Sequence, residues 1–256
     1  MNGKQSEKEW KRLMKLEEKF INHNIRKKEK EWQNKLEKFV PEKLSDTLKT
    51  AFYKAFELIF EKGTGVIEKT YNKEKREQDY KINEYAAEMK NSRKTVKVFG
   101  KQAKSSQSLN TVISAVEGIG MGAVGAGLPD IPIFLGILLK SIYETAVIYG
   151  FTYDTEQEQI FILKMIETAL IHENDLLENN EKLNKWIEAP CSFEISKTEQ
   201  IKRTSAALAE EMLYLKFVQG IPIVGIAGGL SDVVYQKKIT DYVQMKYKRR
   251  FLIRKK

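Results

Sequence analysis

Three carboxylates, Asp130, Glu144 and Asp232, stand in or beside the two least polar stretches of the chain, where their chemistry would matter most. A carboxyl group removed from water holds its proton more tightly, so a cluster of such groups can act as a general acid or base. Asp130 and Glu144 are separated by about 21 Å if they share one helix, too far for a direct acid–base pair. A plainer role is available to each. Asp130 precedes Ile131-Pro132 and Asp232 follows Ser231, so both suit helix N-termini, where unpaired amides and the dipole favour an acid. Glu144 follows Lys140 by one turn, the spacing of an ion pair within a helix.

Other chemistry finds less support. The two histidines, His23 and His172, lie in distant and unlike segments, and no His-Glu-x-x-His occurs, so no metal site is expected. Cys191 follows Pro190 with no histidine nearby and reads as a small packing residue rather than a nucleophile. There is no Gly-x-Ser-x-Gly elbow. "GIGMGAVGAG" opens with Gly118-x-Gly120, but Ala123 stands where the dinucleotide fingerprint needs glycine, and no strand precedes it. No cofactor is expected.

The elements that would position these residues read as helices throughout. Only 5 prolines and 15 glycines punctuate 256 residues, and no long β-branched alternation appears. Trp10, Leu13, Leu16, Phe20 and Ile21 form a narrow stripe that predicts an arm lying across the domain or meeting a partner. Leu44, Leu48, Phe52, Phe56 and Ile59 recur at helical intervals after Pro41 and stop at Gly63. A more polar helix is predicted from 66 to about 90, and Thr155 with Glu158 has capping-box spacing ahead of Ile160, Leu163 and Ile166.

Two glycine-rich apolar segments, 118–139 and 221–230, carry matching small residues in "GMGAVGAGLPD" and "PIVGIAGGLSD". Small faces let backbones approach closely, so each segment is a natural partner for the other. The first is long enough to cross ~30 Å of hydrocarbon, but Pro129 and Pro132 bracket Asp130 at its middle. The favoured reading is a pair of buried hairpins; shallow membrane contact and true spans are the alternatives. The fold class is therefore all-α, a multi-helix domain (41–256) with two Gly-rich apolar hairpins in its core and a charged helical extension (1–40).

Charge is uneven. Residues 1–100 carry a net +8, residues 151–200 a net −7 and residues 201–256 a net +8. Such a layout suggests attraction within the chain, or basic surfaces aimed at anionic lipid or an acidic partner. Nucleic acid is not expected, because no reading motif is present. A lone cysteine and a charged N-terminus without an apolar core fit a cytoplasmic address. The closing "YKRRFLIRKK" interleaves aromatic and basic residues, and Lys248, Arg249, Arg250, Phe251 and Arg254 form a candidate membrane surface. The competing reading is a solvated helix end.

The order of these pieces resembles the EcsC family, bacterial proteins often encoded beside an ABC transporter. The resemblance rests on "PEKLSDTLKTAFYKAFELIFEKGTG", on "GLPDIPIFLGILLKSIYETAVIYGFTYDTEQEQIFIL", on "GIPIVGIAGGLSDVVYQ" and on "YKRRFL". Asp130, Pro132, Glu144, Tyr149 and Gly150 in one frame are its most specific part. It implies a cytoplasmic helical accessory protein, peripheral at the inner face of the membrane, near a membrane transporter complex. Some members carry hydrolase or peptidase labels, which keeps a carboxylate-based site around Asp130, Glu144 and Asp232 as the alternative. No small-molecule substrate is implied.

Overall fold

A computed structural model describes residues 3–25, 42–61, 65–68, 71–90, 130–218 and 233–255, and among these no strand occurs. The helices are α1 (Gly3–Ile25), α2 (Glu42–Glu61), α3 (Gly65–Glu68), α4 (Lys73–Lys90) and α5 (Asp130–Ile148). They are followed by α6 (Glu156–Leu170), α7 (Glu173–Glu188), α8 (Lys197–Val218) and α9 (Val233–Arg254). The all-α reading holds. The two glycine-rich segments, apart from residues 130–139, lie outside the described residues, and so does their proposed pairing.

α5 and α6 form the centre. α2 packs on α5 and α8, α8 on α6, and α9 on both α5 and α6. α7 rests against α6 and α9, α1 lies across α7 and α9, and α3 and α4 cover α5. The predicted stripe of α2 is buried as Leu48, Ala51, Phe52, Ala55, Phe56, Ile59 and Phe60, a broad apolar face. α5 begins where its sequence breaks, at Asp130, and carries Pro132 in its first turn, where no amide is lost. Beyond Pro132 it is buried except along the half-buried stripe of Ile133, Ile137 and Ser141. Ile131–Ile148 is the one described stretch long and apolar enough to cross a membrane, and 83% of it is buried in protein.

α5 ends on a turn that requires glycine. Gly150 has φ 74°, its amide donates to Val147 and the Phe151 amide donates to Ala146, each at 2.9 Å. These two bonds close a Schellman motif. The Tyr80 ring lies over the glycine so closely that an added Cβ would sit 2.4 Å from it. The polar helix predicted from 66 onward divides at Tyr71 and Asn72, and the Asn72 side chain accepts from the Lys75 amide at 2.7 Å, starting α4 anew. Thr155 caps α6 as its spacing predicts, accepting from the Glu158 amide at 3.3 Å.

Candidate functional site

Among the described residues a dense polar network lies where α1 crosses α7 and α9. Lys246 of α9 is fully buried. Its ammonium donates to Glu17 of α1, to Asn180 Oδ1 at 2.5 Å and to Asn184 Oδ1 at 2.7 Å, both on α7. Asn184 returns a bond to Glu17 at 2.8 Å, and the Tyr242 hydroxyl donates to Asn180 at 2.9 Å. Arg249, one turn on, reaches the other Glu17 oxygen at 3.0 Å and Glu188 at 2.8 Å, and its guanidinium lies over the Trp10 ring. Lys248 pairs with Glu9 at 2.8 Å. A helical register of eight residues sets Glu9 and Glu17 about 12 Å apart along α1.

Burial governs the titration of this seam. It pushes the Lys246 ammonium down to about 8, against the pull of Glu17 and with the push of Arg249. Burial also opposes charge on Glu17, yet Lys246, Asn184 and Arg249 together hold its carboxyl below the usual carboxylate range. Glu9 is lowered in the same way, by Lys248 and Arg12 against burial. Each carboxylate is charged because it is paired.

Spacing alone suggests that the C-terminal residues face outward; the structure buries Arg249 and Phe251, half-buries Lys248 and Arg250, and leaves Arg254 exposed but bonded. Phe251 is 1% exposed and packs on Tyr149. Arg250 makes a two-pronged pair with Glu158 at 2.8 and 2.5 Å, with its guanidinium over the Phe151, Phe161 and Trp186 rings. Arg254 donates to the carbonyls of Tyr149 (3.1 Å) and Gly150 (3.0 Å) and to the Tyr80 hydroxyl (2.6 Å). It thereby places a cation at the C-terminus of α5, where the dipole favours one. The acids that receive these cations lie far back in the sequence, so no local spacing could reveal them.

A second polar centre lies under α4. Tyr153, fully buried, donates to Glu68 at 2.5 Å and lies 2.6 Å from the Tyr71 hydroxyl, while its ring stacks on Tyr143 at 4.2 Å. Lys73 closes on Glu68 at 2.7 Å. Burial, then the bonds to Glu68 and Tyr71, push the Tyr153 phenol far above its ordinary range, and burial, with smaller pushes from Tyr71, Asp154 and Glu68, raises Tyr143. Phenols so placed stay protonated, and Tyr153 uses its proton to donate to Glu68.

Of the three predicted carboxylates only the Glu144 side chain is among the described residues, so their grouping lies outside them. Asp130 is the first residue of α5, but its side chain lies outside the described residues, and Asp232 lies outside them altogether. Glu144 is 6% exposed and finds its ion-pair partner on a neighbouring helix, Arg76 of α4 at 3.2 Å, where spacing suggests Lys140. Cys191 is exposed, not packed as its type suggests, and only its carbonyl is engaged, by the Trp186 indole at 2.6 Å. His23 is exposed, and His172 begins α7 with Nε2 3.1 Å from Glu211. Among the described residues no group of three or more His, Cys, Asp or Glu side chains could hold a metal ion.

With this geometry in place, comparison with known proteins is informative. A family model described as the EcsC protein family matches residues 5–252. That match takes in α1, which the resemblance read from the sequence left outside. Protein EcsC of Bacillus subtilis (strain 168) is 28% identical over 123 residues, 47% of this chain and 50% of that protein. The alignment thus spans about half the length of this relative. No solved structure matches.

Proposed function

This chain belongs to the EcsC protein family, and from that premise we propose that it is a non-enzymatic helical accessory protein. In this reading it works at the cytoplasmic face of the membrane beside an ABC transporter. The observation that carries the proposal is the outer face of α1. Lys8, Lys11, Arg12, Lys15 and Lys19 are exposed there against Glu7 and Glu18, and Leu16 stands among them 51% exposed. An apolar residue within a cationic helical face suits an anionic bilayer, where each nearby cation contributes about 1 kcal/mol. The uneven charge and the net +9 of the chain support the same partner.

Co-sedimentation of the full chain with phosphatidylglycerol vesicles tests this reading. The expected result is binding at low salt that fades as the Debye length shrinks, with none to phosphatidylcholine. A chain that stays in the supernatant with both lipids contradicts it.

A further inference from the structure

The face that α1 covers has the same chemistry as the face it shows. Beneath it lie the cations Lys246, Lys248 and Arg249, together with Tyr242, whose ring meets Phe20 at 5.0 Å. α1 supplies two carboxylates, Glu9 and Glu17, that neutralise those cations, and Trp10, Leu13, Met14 and Phe20 that fill the space between. Of these apolar side chains only Leu13 is fully buried. Buried ion pairs lose in desolvation most of what they gain in attraction, so they fix the register of α1 more than they hold it down.

We propose that α1 is a releasable arm, displaced from α7 and α9 when the protein meets an anionic bilayer. This rests on the membrane-surface reading above and adds how that surface is regulated. The exchange keeps the cations of α9 paired and returns the two α1 carboxylates to water. Lipid phosphates replace Glu9 and Glu17 beside Lys246, Lys248 and Arg249, and the Trp10–Leu13–Met14–Phe20 stripe moves from protein into the lipid interface. Released α1 is itself a basic amphipathic helix of the kind that lies in such an interface. The C-terminal Lys248 and Arg249 would then reach lipid only after this step. Arg250 and Arg254 keep their partners on α6, on α4 and in the turn after α5.

Paired spin labels test the release in the full chain. In a Cys191→Ser background, Asn22→Cys on α1 and Lys237→Cys on α9 place labels at two exposed positions. The expected result is one short distance in solution and a shift of about 10 Å or more, the width of a helix, on phosphatidylglycerol vesicles. Glu9→Gln with Glu17→Gln should populate the long distance without vesicles, while the helical content of the remainder is unchanged. An unaltered distance in vesicle-bound protein overturns the releasable arm and leaves the membrane reading standing. Failure to bind either vesicle removes both.

Discussion

Along α5, from Ile131 to Ile148, buried side chains, most of them apolar, leave only the stripe of Ile133, Ile137 and Ser141 half-buried, whereas α1 brings one fully buried leucine to its groove and completes the contact with charge. Each large side chain buried on α5 contributes about 1.5–3 kcal/mol. On α1 the Coulomb gain of Glu17 with Lys246 and Arg249 is largely offset by desolvation. One helix is therefore held by area, which is indifferent to partner identity. The other is held by matching, which is selective and weaker. A protein that needs a stable scaffold and a conditional surface has reason to use both.

The contrast breaks most visibly at Phe134. Phe134→Ala removes a ring packed edge-on against Phe52 and should cost about 3–5 kcal/mol in denaturant unfolding, with loss across all helices. If only α5 loosens, it is not the centre. Glu17→Leu strands a buried Lys246 and should cost about 3–5 kcal/mol, read as lost amide protection in α1 alone. Adding Lys246→Met should restore most of it, because an apolar pair of similar volume replaces the ions. A double variant as damaged as the single would mean that the seam holds α1 by attraction after all.

Titration sharpens the same point. Glu17 and Glu9 have lowered values, so their contribution is present above the usual carboxylate range and lost as pH falls through their folded values. Acid should free α1 while α5 remains protected. Lys246 is also lowered, to about 8, so its contribution is present above 10.5 and lost as pH falls through about 8. Nζ-resolved NMR should find that midpoint; an ordinary lysine value would show the seam open to water. Smaller effects belong to the ends of helices. Gly150→Ala meets both the positive φ and the Tyr80 ring and should cost about 1–3 kcal/mol in thermal unfolding. Thr155→Ala removes a cap and should cost about 1 kcal/mol.

What could be read from the sequence follows the range of the forces involved. The stripe of α2, the Thr155 cap and the start of α5 at Asp130 depend on neighbours within four residues, and periodicity exposes them. The break at Asn72 was hidden, because a polar helix offers no apolar period to interrupt. The partners of α9 were hidden more deeply: Glu9, Glu17 and Glu158 lie 92 to 239 positions away. Only the opposed charges of the acidic middle and basic C-terminus hinted that Arg249 and Arg250 would fold onto Glu188 and Glu158. Family resemblance marked Gly150 and Glu144, and the structure supplies reasons for both in Tyr80 and Arg76.

Native-state hydrogen exchange on the unmodified chain, comparing amides of α1 with those of α5 at low denaturant, tests the central claim most directly. The account predicts that α1 amides exchange through a local opening well below the global unfolding free energy, while α5 amides exchange only at the global value. Equal protection of the two helices, lost together as denaturant rises, would contradict it.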